Sequence, residues 1–282
     1  MHARDHFQAQ PSDIFLCSPL KTGCTWLKAL SFSIATRTQF DNSTSPLQKW
    51  VPHDCIPFLE HGEYSTAPGP RIPLFATHLQ YTCLPKSIID SGCKIVYICR
   101  DPKDTFVSMW HFFQRITKCN SKQELGEGDL IPIEVAFEFF CKGMSYYGPY
   151  WEHVLGYWKA SLERPDKILF LKYEDMKRNT EVCVMKLAEF FGCPFSLEEE
   201  REGTVQKIIE SCSFEILSNP EVNKMGKLVR KNRFVENNAY FRKGKVGDWR
   251  NYLTAEMGMR LDDIMEEKLS GSGLTFHISP QE

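Results

Sequence analysis

Apolar residues recur along this chain in short solid runs that alternate with stripes at helical spacing. Ile14 to Ser18 is an apolar run closed by Pro19, and Leu27, Leu30 and Ile34 then return every three or four residues. The pattern predicts a buried strand, a tight turn and a helix. Leu74 to Thr77 predicts a second strand and Lys94 to Cys99 a third. After the third, Asp101 suits an N-cap, Pro102 the first helical position and Asp104 the negatively charged first turn. Phe106, Met109, Trp110 and Phe113 form one apolar stripe on that helix, which leaves Ser108 on roughly the opposite side, where a hydroxyl can face a ligand. Lys167 to Tyr173 predicts a fourth strand, followed by a helix that stops at Phe191-Gly192 with Pro194 just beyond. Strands alternating with helices predict an α/β fold over residues 1–282 as a single domain. A mainly parallel central sheet is flanked by helices and entered through a P-loop-like strand-loop-helix.

The segments between these elements are less regular. Met1 to Ser12 reads as a polar lead-in, and Asp41 to Pro70 carries five prolines with few periodic apolar positions, which predicts a wall of a ligand site. Residues 117–131 read as a surface loop, and helices are predicted around Val135–Phe140 and Tyr150–Trp158. Phe137, Phe139, Phe140, Tyr146, Tyr147, Tyr150 and Trp151 are mostly core by this reading, with part of the set lining an apolar pocket for a flat, ring-bearing molecule. The last third reads as helical or irregular up to Phe241–Trp249.

Charge narrows the partners. A formal net charge of -2 excludes a general nucleic-acid binder, yet Lys224 to Lys245 holds eight basic residues against the single acid Glu236. The eleven cysteines include no Cys-x-x-Cys pair and no leader precedes them, which predicts reduced thiols in a cytoplasmic protein. No apolar run approaches the ~20 residues of a membrane helix, so neither a membrane nor a nucleic acid is expected as partner.

The candidate chemistry sits at the strand ends. In Lys21-Thr22-Gly23-Cys24-Thr25-Trp26 the first amides of a helix point outward with the positive end of its dipole, a natural anion cradle. Gly23 permits close backbone approach, Thr22 and Thr25 add hydroxyls, and Lys21 adds a full charge. A plain turn is the other reading of such a triplet. The order is not that of ATP-type loops, in which the lysine follows the glycine. His78 follows the second strand, where ligands sit in open parallel sheets, and an imidazole is the side chain best suited to take a hydroxyl proton near neutral pH. A purely structural histidine is equally compatible with that position, and the other seven histidines read as surface or packing residues. Arg100 offers a planar fork to a phosphate, or else pairs with Asp101 or Asp104. Phe241-Arg242-Lys243-Gly244-Lys245-Val246-Gly247-Asp248-Trp249 sets two glycines around cations, as in a loop that closes over an anion.

Together with Phe75-Ala76-Thr77-His78-Leu79 and Tyr97-Ile98-Cys99-Arg100-Asp101-Pro102-Lys103-Asp104, these two loops stand in the order and spacing of one family. The chain resembles the plant cytosolic sulfotransferases from Phe7 to about the final helix, and Gly148–Trp158 looks plant-type in particular. The resemblance implies transfer of a sulfuryl group from 3'-phosphoadenosine 5'-phosphosulfate (PAPS) to a small hydroxylated acceptor of flavonoid, steroid or desulfoglucosinolate type. The expected product is 3'-phosphoadenosine 5'-phosphate (PAP), with no metal. By the same resemblance Lys21, Thr22, Gly23, Cys24 and Thr25 hold the 5'-phosphosulfate, while Trp26, Tyr173 and Phe214 contact the adenine. Arg100, Ser108, Arg242, Lys243 and Gly244 would hold the 3'-phosphate, and His78 would be the general base. Three departures accompany it: Cys24 stands where the family has Thr, Pro19-Leu20 replaces Phe-Pro, and the chain reads as an N-terminally shortened member with an open acceptor pocket. A donor-binding protein with little or no turnover is the alternative reading, and a nucleotide kinase is opposed by the missing ATP-type loop. The family's dimer signature is degraded in Arg250–Ala255, which leaves the oligomeric state open.

Overall fold

In the computed structural model, which describes residues 7–41, 43–62, 73–121, 126, 129–230 and 233–276, four short strands form one parallel sheet. They are β1 (Ile14–Cys17), β2 (Leu74–Thr77), β3 (Lys94–Cys99) and β4 (Ile168–Lys172), in the spatial order β2-β1-β3-β4. Phe15 lies between Phe75 and Ile95, and Tyr97 is opposite Phe170. The strands are almost continuously apolar because helices cover both faces.

Strand periodicity sorts the core into two halves. Phe15, Cys17, Phe75, Ile95, Tyr97 and Cys99 face one side. There they meet α2 (Pro102–Asn120), α3 (Ile133–Cys141), α4 (Tyr150–Glu163) and α9 (Ala255–Leu269). Ile14, Leu16, Leu74, Ala76, Val96, Ile98, Leu169 and Leu171 face the other. Their partners are α1 (Cys24–Thr36), α6 (Thr180–Phe191) and α7 (Thr204–Ser211). The short helices α5 (Tyr173–Arg178) and α8 (Phe214–Ser218) close one end.

Local signals account for most boundaries. The Asp101 carboxylate accepts from the Lys103 and Asp104 amides with Pro102 at the first helical position of α2, and Gly192, at φ 82°, ends α6 in the left-handed conformation that favours glycine. Two predictions are corrected. α2 continues to Asn120, so the loop expected from residue 117 begins later; only parts of the rest of that loop lie within the described residues. In the last third, β5 (Lys227–Arg230) and β6 (Arg233–Glu236) form an antiparallel hairpin. Lys227, Arg230, Arg233 and Glu236 break up the apolar positions of this stretch, so no solid run marks these strands as it marks the equally short β1 and β2. Of the predicted lead-in at 1–12 and wall at 41–70, residues 1–6, 42 and 63–70 fall outside the described residues.

The topology fixes where chemistry can occur. His78, Arg100 and Tyr173 follow directly on the C-terminal ends of β2, β3 and β4, and the Lys21 turn follows β1, so all four strand ends deliver candidate residues to the same edge of the sheet.

Candidate active site

A cavity of about 930 Å³ opens at these strand ends, near the upper end for a small-molecule site. Its lining includes Lys21, Gly23, Cys24, Thr25, Trp26, His78, Arg100, Ser108, Tyr173, Phe214, Arg242, Lys243 and Gly244. Thirteen of the fourteen residues singled out from the sequence thus share one space. Thr22 is the exception. Its buried hydroxyl donates to the Pro19 and Ile98 carbonyls at 2.9 and 3.2 Å, so it braces the turn from behind instead of facing a ligand.

The turn itself is built for an anion. Lys21 adopts φ 65°, a left-handed conformation that costs a non-glycine residue about 1–2 kcal/mol and that proteins keep where function requires it. Gly23, at φ 110°, is the N-cap of α1 and offers no side-chain cap to its first amides. A Cβ at Gly23 would stand 2.7 Å from the Tyr173 ring. Cys24 is buried, and burial raises its thiol pKa, so it remains a weak neutral donor. The Lys21 Nζ donates to the Ala239 carbonyl at 3.1 Å and lies 4.4 Å from the Phe112 ring centroid. Burial, helped by the Arg242, Arg100 and Arg115 cations, brings its pKa down to about 7.

At the neighbouring strand end His78 is held in one tautomer. His78 Nδ1 lies 2.8 Å from the Ser18 carbonyl, which can only accept, so Nδ1 carries the proton and Nε2 keeps its lone pair. Among the described residues Nε2 has no protein partner, and it is the ring nitrogen left to the cavity. Burial lowers the imidazole pKa to about 3, which keeps it neutral at working pH. The backbone of His78 is held on both sides. Its N–H donates to Glu60 Oε1, which also accepts from Thr77, and its carbonyl accepts from His153 Nε2 at 2.9 Å.

The far end is cationic. Arg100 and Arg242 each commit one edge of the guanidinium to a carboxylate, Asp104 and Asp248 respectively. Each leaves a buried Nε without a partner among the described residues. Lys243 also pairs with Asp248, at 2.8 Å. Gly244, at φ 63°, lets the loop lie against Phe214, whose ring a Cβ would meet at 2.7 Å. Trp26 meets the Tyr173 ring edge-on at 5.6 Å, and Arg100 lies 4.6 Å from the Tyr173 ring centroid. These features fit a nucleotide with a phosphate at each end: two orphaned guanidinium N–H groups, two glycine cradles and an aromatic wall between them.

Sequence reasoning missed three parts of the site. His53, placed among the packing histidines, lines the cavity with its Nε2 3.0 Å from Thr25 Oγ1. Glu60 and His61 line it as well. A signal existed in that all three lie in the irregular 41–70 segment already assigned to a wall. Tyr146, Tyr147, Phe58 and Phe113 complete the apolar part, with Phe113 and Tyr146 stacked at 4.6 Å and Tyr147 5.6 Å from His78.

Comparison with known proteins bears directly on this arrangement. Residues 11–273 match the family model described as a sulfotransferase domain. The chain is 52% identical to a flavonol sulfotransferase-like protein of Flaveria bidentis, across 96% of this chain and 86% of that one. It is 50% identical to cytosolic sulfotransferase 16 of Arabidopsis thaliana, across 98% and 81%. Among solved structures, a putative steroid sulphotransferase of Arabidopsis thaliana aligns with a TM-score of 0.71 at 38% identity, covering 98% of this chain and 82% of that one. Mouse sulfotransferase SULT7A1 complexed with PAP aligns with 0.69 at 28% identity, covering 96% and 88%.

Proposed function

The chain belongs to the sulfotransferase family, and on that premise we propose that its cavity sets PAPS against a flat, polyhydroxylated aromatic acceptor of the flavonol class, with His78 as general base and Lys21 as the stabiliser of the leaving oxygen. The protein is a PAPS-dependent sulfotransferase acting on small hydroxylated molecules. Its flavonol and cytosolic relatives support the acceptor class and a place in the cytosol.

The observation that carries the reading is the fixed tautomer of His78. An imidazole that is neutral, oriented by a main-chain carbonyl and open at Nε2 toward an aromatic-lined space is equipped to take a proton from a hydroxyl. PAPS, when bound, supplies the electrophilic sulfur and a phosphate leaving group. As in phosphoryl transfer, the protein's part is positioning and charge stabilisation more than covalent chemistry. Lys21 and the uncapped amides of α1 would take up the charge that develops on the bridging oxygen. The reading assigns that charge to Lys21 and asks for no metal. Arg100, Ser108, Arg242, Lys243 and Gly244 would hold the 3'-phosphate, with Trp26, Tyr173 and Phe214 against the adenine. Tyr146 and Tyr147 would flank the acceptor ring.

Protonation of Lys21 gives a test independent of turnover. Its pKa of about 7 in the free protein means that above neutrality much of the population is uncharged. A polyanion beside it raises that pKa, so PAP binding at pH 8 is expected to draw up close to one proton, and at pH 6, where Lys21 is already charged, almost none from this group. Calorimetric titration with PAP in buffers of different ionisation enthalpy measures the number directly. Proton uptake equal at the two pH values, or absent at pH 8, contradicts the assignment of Lys21 to the phosphosulfate.

A further inference from the structure

We infer that Asp104 is a positioning residue that locks the 3'-phosphate half of the site before the nucleotide arrives, and thereby sets the preference for 3'-phosphorylated nucleotides over those lacking that group. The inference rests on the reading of Arg100 and the Arg242-Lys243-Gly244 turn as the 3'-phosphate site.

Asp104 is fully buried in the first turn of α2 and does not itself line the cavity, which it reaches through Arg100. Its two oxygens are spent elsewhere. Oδ2 accepts from the Gly247 amide at 2.7 Å and faces the Arg100 Nη2 at 3.2 Å; Oδ1 accepts from the Trp249 amide at 2.9 Å. Arg100 Nη2 in turn donates to the Lys245 carbonyl at 2.6 Å. One ion pair therefore engages three alternate residues of the same loop, Lys245, Gly247 and Trp249.

That loop carries the other half of the cationic set. Asp248 holds Arg242 and Lys243, so once residues 245 to 249 are pinned those two cations are placed as well. The consequence is geometric. Arg100 uses its Nη2 to grip the loop and is left, among the described residues, with a buried, unpartnered Nε, the same condition in which Asp248 leaves Arg242. Ser108, which lines the cavity, lies one helical turn beyond Asp104 on the same face of α2. The β3 end, the start of α2 and the loop at 241–249 thus become one rigid receptor through a single carboxylate. A buried carboxylate satisfied by two amides and a guanidinium is held by charge-assisted bonds, the stronger class.

The test compares PAP with AMP, which differs from it by the missing 3'-phosphate, on wild type and Asp104→Asn. The amide side chain keeps the volume but turns an NH2 toward a donor. PAP affinity is expected to fall about 10- to 100-fold while AMP affinity stays within about threefold, the range for losing one hydrogen bond to a charged group. Equal losses for PAP and AMP, or no loss for either, overturn the inference. Wild type that binds AMP as tightly as PAP would instead overturn the 3'-phosphate reading beneath it. Amide hydrogen exchange on the wild-type protein serves should the variant not fold: the Gly247 and Trp249 amides are expected to be protected without ligand and to change little when PAP is added. Free exchange that becomes protected only with PAP would show that the lock does not exist in advance, and would overturn the inference equally.

Discussion

Replacing His78 with glutamine is expected to lower kcat by about 10³-fold while leaving PAP affinity within about threefold, since general-base catalysis is worth about 10²–10⁴ and the proposed function sets the side chain against the acceptor. Glutamine fills much of the imidazole's volume and puts its amide near the Nε2 position, so the substitution removes the basic nitrogen together with the Nδ1 contact to Ser18. The pH profile provides a second check. Burial holds the His78 imidazole down near pH 3 in the free protein, so its neutral form is present throughout the range from pH 5 to 9. Its protonation therefore contributes no acid limb there, and a fall in kcat/KM centred near pH 6.5 that vanishes in the variant would contradict this picture. So would a kcat within threefold of wild type.

The second large effect is expected at Lys21, and it separates catalysis from stability. Lys21→Gly should lower turnover by about 10²–10³-fold, the usual cost of removing one charge-stabilising donor from a reacting centre. The same change should raise stability by about 1 kcal/mol, because glycine adopts φ 65° without the steric penalty that lysine bears there. Thermal or urea unfolding beside steady-state kinetics measures both. A variant that is both inactive and less stable would make Lys21 a structural residue. Lys21 would then have no special claim on the reaction.

Much of this site was readable before any coordinates. The turn after β1 could be placed because an apolar run, a proline and a helical stripe leave few ways to join them, and His78 because a strand end in a parallel sheet is a ligand position whatever the rest of the chain does. Asp101 was readable as a cap, since capping is local. What escaped was long-range. Asp104 carries the same local signal as any acidic residue in a first turn, and nothing within a few positions of it tells that Gly247 and Trp249 will arrive to share its oxygens. Thr22 read as a ligand donor along with its neighbours; only the packing of β3 behind the turn decides that the hydroxyl points to Ile98. His53 reaches Thr25 from an irregular segment with no period to fix which way its residues face. The hairpin of β5 and β6 was missed for a different reason, as its charged positions break the solid apolar run by which the equally short β1 and β2 could be read.

In the proposed function one cavity joins a phosphosulfate site to a base facing an acceptor hydroxyl. The most direct measurement is transfer of labelled sulfate from PAPS to flavonols, with steroids and desulfoglucosinolates run beside them. Label moving onto a flavonol hydroxyl at a rate that collapses in His78→Gln, with PAP competing, is the predicted result. PAP binding with no transfer to any of these acceptors would contradict it and leave a donor-binding protein.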